Sequence, residues 1–132
     1  MIIAVDFDGV ICEEGCCPDV GKPNIRVINA LIKLKREGTH LILWTCRTGD
    51  ALAKAVNFCR NFGLEFDAVN ENLPMMIEKY GNDCRKIYAD GYLDDRVFTL
   101  EKLFGTEKKP DTAKRSVEKV QTVPSKVRIV RK

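Results

Sequence analysis

The sequence predicts an α/β fold: a doubly wound, Rossmann-like, mostly parallel sheet flanked by helices, without a cap domain. Three observations carry this. Short β-branched and apolar runs alternate with stretches whose apolar residues recur at helical spacing. Glycine follows each helical stretch, at Gly38, Gly63, Gly81 and Gly105, where a helix C-terminus wants it. Three of the strand-like runs end in aspartate or threonine, and open α/β sheets bind ligands beyond the carboxyl ends of their strands.

The first run, Ile2-Ile3-Ala4-Val5, passes straight into Asp6-Phe7-Asp8-Gly9-Val10. It is apolar on both faces, which suits a central strand covered by helices. Residues at i and i+2 point the same way on a strand, so Asp6 and Asp8 should share a face and Phe7 the other. Gly9 allows a sharp turn and a close approach to a ligand. Two acids about 4 Å apart repel by roughly 4 kcal/mol in a protein-like dielectric, so they call for a cation or a shared proton. A loop of about 14 residues, able to form only a short flap, leads to Pro23.

Pro23 should open the first helix, with Ile25, Ile28, Leu31, Ile32 and Leu34 as its apolar stripe. His40-Leu41-Ile42-Leu43-Trp44-Thr45 reads as the second strand, with Trp44 in the core. A second helix is expected over about 50–62, with Ala51, Ala55, Val56 and Cys59 inward, and a third strand over 64–69. Asn70 and Asn72 belong to a loop and could line a pocket or cap it. Pro74 should open a short helix ending at Tyr80. Residues 86–89 read as a fourth strand, 91–95 as another apolar stretch ending in acids, and about 96–104 as the last helix.

At 132 residues the chain is about one domain. The expected division is a core over 1–105 and a basic tail over 106–132 that is weakly ordered. The tail holds 9 Lys+Arg against 3 Asp+Glu, which leaves 13 against 16 in the remainder. No apolar run reaches the roughly 18 residues of a membrane span, and no signal-peptide pattern opens the chain. A cytoplasmic location is the expectation, and with it free thiols for all six cysteines.

Asp6 and Asp8, Thr45, and Asp94 and Asp95 each close a predicted strand, so all can meet at one site. Carboxylates with a hydroxyl and a lysine suit Mg²⁺ and a phosphate. An aspartate can then attack phosphorus while a second acid handles the proton.

At this point the chain resembles the phosphohydrolases of the haloacid dehalogenase superfamily, in particular the small members without a cap. Val5-Asp6-Phe7-Asp8-Gly9 resembles the first motif, and Leu41-Ile42-Leu43-Trp44-Thr45 the second. Lys86 best matches the third, and Tyr92-Leu93-Asp94-Asp95 the fourth. The resemblance implies Asp6 as nucleophile, Asp8 as general acid/base, and Thr45 and Lys86 on the phosphate. It implies Mg²⁺ held by Asp6, the backbone carbonyl of Asp8, and Asp94 or Asp95. Gly9, Cys46 and Arg47 are further candidate substrate contacts, and Arg96 could either touch substrate or be solvated. Arg85, Lys79 and Arg47 compete with Lys86 for its role, and one of Asp94 and Asp95 could serve only as a helix cap.

The expected activity is Mg²⁺-dependent hydrolysis of a phosphate monoester. An uncapped site would be open, suited to a phosphate on a bulky molecule or to closure by a second subunit. The basic tail could draw a polyanion such as a nucleic acid end. No membrane partner is expected. The rival class is a non-enzymatic receiver-like phospho-acceptor switch. It also uses Asp, Thr and Lys at strand ends, but its acceptor follows a third strand that precedes the Thr. A scaffold that binds nucleic acid through its tail is the third reading.

Overall fold

The computed structural model describes residues 1–105; the expected basic tail, 106–132, lies outside the described residues. The chain divides into two compact units, Met1–Val97 and Phe98–Lys132. No helix of the described residues is long and apolar enough to cross a membrane. All six cysteines are free thiols.

Unit Met1–Val97 holds β1 (Ile2–Val5), α1 (Ile25–Arg36), β2 (His40–Leu43), α2 (Gly49–Asn61), β3 (Ala68–Val69), α3 (Pro74–Tyr80) and β4 (Gly91–Leu93). The sheet is parallel throughout, in the order β3-β2-β1-β4. The α/β class expected from the alternating runs is therefore what forms. β1 is central, as its two-sided apolar run requires: Ala4 pairs with Ile42 on one side and Tyr92 on the other. The chain steps outward from β1 to β2 to β3, then returns to the far side of β1 for β4. That reversal opens a crevice beyond the carboxyl ends of β1 and β4.

Strand alternation sorts the core into two layers. Val5, Phe7, Leu41 and Leu43 pack with Ile28 and Leu31 of α1 and Ala55 and Cys59 of α2. Ile2 and Ile42 face the other way and pack with Ala68, Leu73, Ile87, Met76 and Trp44. Val10, Ile11 and Cys12, at the root of the expected flap, are buried in the first layer. The loop is thus anchored at its root, while most of residues 13–22 are exposed. Asn24 caps α1, its side chain accepting from the Val27 N–H at 3.3 Å. Ile25, expected in the apolar stripe, is instead 46% exposed on the first turn.

β2 ends at Leu43 rather than Thr45 and α1 opens at Ile25 rather than Pro23; three larger departures from the expected elements each have a hydrogen-bonding reason. Residues 86–89 form no strand, because side chains take up their backbone groups: Tyr88 N–H donates to Asn72 Oδ1 at 2.7 Å, and Tyr92 O–H donates to the Ile87 carbonyl at 2.6 Å. β3 spans only Ala68–Val69, and the Asp67 carboxylate accepts the Leu41 N–H at 2.8 Å where a longer ladder would have run. Asp90 does the same for the Ile2 N–H at 2.7 Å beside β4. The last helix, α4 (Leu100–Phe104), starts four residues late and lies in the second unit. Asp94 Oδ1 accepts the Arg96 N–H at 3.0 Å, which holds the chain in a turn, and Thr99 supplies the cap by accepting from the Lys102 N–H.

Asn72 is the most heavily used polar side chain of the loop layer. It is 3% exposed, donates to Asp83 Oδ1 and the Cys84 carbonyl, and accepts from Tyr88 N–H. These bonds hold the Asp83 carboxyl below its usual range. Asn72→Ala should therefore lower unfolding free energy by about 1–2 kcal/mol, since it removes a buried side chain and the hydrogen bonds that tie three loop segments together. Urea titration checks this, with Asn57→Ala on the exposed face of α2 as a control expected within about 0.5 kcal/mol of wild type.

Candidate functional site

At the carboxyl ends of the strands lies a cavity of about 460 Å³. Asp6 and Asp8 line it from beyond β1, Trp44, Thr45 and Cys46 from beyond β2, and Asp94, Asp95 and Arg96 from beyond β4; Glu14 comes from the flap. Strand ladders set the first contacts. Asp6 N–H donates to the Leu93 carbonyl at 2.9 Å, and Trp44 N–H donates to the Val5 carbonyl at 2.8 Å. The three strand ends that carry the sequence motifs are thereby brought together.

One carboxylate oxygen from each of Asp6, Asp94 and Asp95 lies within 4.8 Å of the others. Two full charges at that distance repel by roughly 3.5 kcal/mol in a protein-like dielectric. The Asp6 carboxyl is accordingly pushed up to about 7. Burial is the chief cause, and the approach of Asp94 and Asp95 adds to it, against the Phe7 N–H that donates to Asp6 Oδ1 at 2.8 Å. Asp94 is held below the usual carboxylate range, first by the Arg96 N–H it accepts. Three hard oxygen donors at the end of a sheet could hold a divalent cation such as Mg²⁺. Gly9 makes the cluster sterically feasible. Its φ is +87°, and a Cβ there would come within 2.7 Å of Asp95 Cγ.

Asp8 does not join this cluster. The chain leaves the strand at Val5, so the i, i+2 alternation that would align Asp8 with Asp6 no longer holds. Instead the Asp8 carboxylate takes a bidentate pair from Arg47, Nε to Oδ2 at 2.9 Å and Nη2 to Oδ1 at 2.8 Å. Arg47 was a candidate substrate contact, and this role is corrected. Its side chain is 1% exposed, and its remaining N–H groups donate to the carbonyls of Pro18, Asp19 and Ala51. All five donors are used. The guanidinium also stacks 4.9 Å from the centroid of the buried Phe7 ring.

Thr45 sits on the cavity wall in a fixed pose. Its N–H donates to Asn70 Oδ1 at 2.8 Å, and its Oγ1 accepts the Arg47 N–H at 3.1 Å. Asn70 adopts φ +55°, a conformation asparagine tolerates better than most residues. Asn70 is thus a positioning residue. Cys46 lines the cavity with an exposed thiol. Lys86 is corrected: it lines a different recess, beside Tyr88 and Tyr92, and not the carboxylate cavity. The cation on the cavity wall is Arg96, which pairs with Glu14 across the mouth at 2.6 Å. Glu14 and Trp44 were missed as lining residues. Glu14 comes from a loop whose path no pattern predicts, and Trp44 reads as one more apolar strand residue until β2 is seen to end at Leu43.

Two outcomes follow. The Asp6 shift makes the folded state bind more protons than the unfolded chain between the ordinary value of 3.8 and about 7. In chelator, stability should then fall as pH rises through that window, and Asp6→Asn should flatten the slope and raise the midpoint at neutral pH. Denaturant midpoints across pH measure both. Arg47→Met should cost about 3–5 kcal/mol in the same assay, by stranding Asp8 and three carbonyls.

No family model matches the chain, and no curated protein does. A solved structure does match. The conserved protein coded by a locus of Bacteroides thetaiotaomicron is 36% identical, over 90% of this chain and 91% of its own, with a TM-score of 0.66. At that identity over nearly the full length of both, the chain belongs to the same family as this conserved Bacteroides protein.

Proposed function

We propose that the chain is a Mg²⁺-dependent phosphomonoester hydrolase working through an aspartyl-phosphate on Asp6. The observation that carries the reading is the convergence of Asp6, Asp94 and Asp95 within 4.8 Å at the crevice beside β1, with Thr45 on the wall of the same cavity. The resemblance of the motifs to haloacid dehalogenase phosphohydrolases points the same way.

Asp6, Asp94 and Asp95 would hold the cation. Bound there, Mg²⁺ supplies the positive charge that favours ionised Asp6 and offsets the repulsion between it and an anionic phosphate. The Thr45 hydroxyl accepts from Arg47, so its own hydrogen is available to a phosphate oxygen. An Asp6 oxygen attacks phosphorus, a P–O bond forms, and the ester P–O bond breaks. Asp8, held as a carboxylate by Arg47, must first take up a proton from solvent, and it then gives that proton to the leaving oxygen. A water then gives a proton to Asp8 and attacks the phosphoryl group, releasing phosphate and restoring Asp6. Arg47 positions Asp8 for both steps, and each Asp8 oxygen keeps a lone pair beyond the guanidinium bond.

The test is phosphate release from an aryl phosphate with and without Mg²⁺. Wild type should release phosphate only with the cation, and Asp6→Asn should lose at least about a thousandfold, since no covalent intermediate can form. Label from a radioactive ester should stay on denatured wild type and leave with hydroxylamine. Equal rates in wild type and Asp6→Asn would overturn the reading.

A further inference from the structure

A second cavity, of about 380 Å³, adjoins the carboxylate site. Building on the phosphate-ester reading, we infer that it is a subsite for a nucleoside, with the phosphate at Asp6 and the planar base among Tyr80, Tyr88 and Tyr92.

Position comes first. Ala4 pairs with Tyr92, and Asp6 and Asp94 each lie two residues further on, just past the strand ends, where Asp6 N–H still donates to the Leu93 carbonyl. Tyr92 thus belongs to the sheet face from which both acids project at its end. Two residues of strand span roughly 7 Å, so the ring is within the reach of a small phosphate ester. The two cavities meet at a pair of rings: Trp44, on the wall of the first, lies 5.3 Å from Tyr92, on the wall of the second.

Composition comes next. The recess presents three tyrosine rings with Met76 and Ala89 behind them. Tyr80 and Tyr88 lie 6.1 Å apart and tilted by 40°. All three residues are exposed, Tyr80, Tyr88 and Tyr92 at 56%, 39% and 40%. The Tyr92 ring is held by its O–H, which donates to the Ile87 carbonyl, and the Tyr88 backbone by its N–H, which donates to Asn72 Oδ1. Asn72 is fully engaged by Asp83, Cys84 and Tyr88. The recess is therefore rich in π-faces and poor in free polar groups, which suits a base and not a sugar alone. Lys86 makes no ion pair among the described residues, so its ammonium is available to a base carbonyl or ring nitrogen at the rim. This gives Lys86 a role away from the transferred phosphate. A free nucleotide and the end of a nucleic acid strand offer the same chemistry.

The full chain carries its own reporter, since Trp44 is the single tryptophan. Thymidine, thymidine monophosphate, glycerol phosphate and a terminally phosphorylated oligodeoxynucleotide are titrated while Trp44 emission is followed. Thymidine and its monophosphate should give saturable changes, and any change with glycerol phosphate, which reaches Trp44 from the carboxylate cavity alone, should be the same in Tyr88→Ala. Tyr88→Ala should weaken thymidine binding roughly tenfold, and Tyr88→Phe, which keeps the ring, by less than about twofold. Far-ultraviolet circular dichroism confirms that both variants fold. Tighter binding of the oligonucleotide than of the mononucleotide assigns the subsite to strand ends, and equal binding to free nucleotides. Absence of thymidine binding to wild type, or equal binding by Tyr88→Ala, would overturn the inference. Thymidine binding without hydrolysis of its phosphate would leave the subsite standing and remove the hydrolase reading. Hydrolysis of glycerol phosphate without thymidine binding would do the reverse.

Discussion

The buried guanidinium of Arg47 is the constraint on which the architecture of the site depends. A charge with 1% of its side chain exposed is costly unless every donor is met. Here five acceptors meet it, drawn from segments far apart in sequence: Asp8 after β1, Pro18 and Asp19 in the flap, and Ala51 in the first turn of α2. None of these segments can move independently without stranding part of the fork. The flap has few other long-range polar ties, so its path over the sheet end is set largely by this one group and by the burial of Val10, Ile11 and Cys12 beneath it. Such a network is weak warrant for extra stability. What it does supply is one geometry, since a planar fork admits few alternative arrangements of its acceptors.

Around that clamp, topology decides which groups can meet. In the order β3-β2-β1-β4, the central strand ends beside both neighbours, and only β1 and β4 flank the point where the chain reverses direction across the sheet. Asp6 and the Asp94–Asp95 pair sit on either side of that crevice, and Gly9 removes the one Cβ that would obstruct Asp95. The acids are crowded by position and not by mutual attraction. Burial and like charge together push Asp6 up to about 7.

Much of this was legible in the sequence, and the parts that were not share a cause. β1, α2 and α3 follow from apolar spacing, proline and glycine punctuation, and each lies within a residue or two of its expected bounds. The convergence of Asp6, Thr45, Asp94 and Asp95 followed from the rule for strand ends. The misreadings occur where side chains replace backbone partners. Residues 86–89 have strand composition, but Asn72 and Tyr92 consume their hydrogen bonds. Asp67 and Asp90 shorten the ladder at the starts of β2 and β1. Asp94 ties up the Arg96 N–H where a helix was expected to begin. Periodicity reports apolar faces and carries no record of such bonds. Arg47 is the sharpest case: next to a predicted strand end it reads as a substrate contact, and nothing local shows that three carbonyls and a carboxylate will enclose it.

The same environment separates two acids that the sequence makes look equivalent. Asp6 and Asp8 stand two residues apart, and an ideal strand would present both to one ligand. Because β1 stops at Val5, the pair diverges. Asp6 turns toward other carboxylates, partly buried, with one backbone N–H to support it. Asp8 turns toward a guanidinium that grips both of its oxygens. Under the proposed chemistry this divergence is what the two roles require. A nucleophile must present a free oxygen to an incoming phosphorus, beside whatever positive charge the other acids gather. The group that handles the proton must instead hold its place, which a guanidinium fixed on three backbone carbonyls ensures. That same guanidinium favours the carboxylate, so the proton has to be supplied to Asp8 from outside the pair. The division of labour therefore lies less in the Asp-x-Asp pattern than in where the strand ends and which side chain waits beyond it.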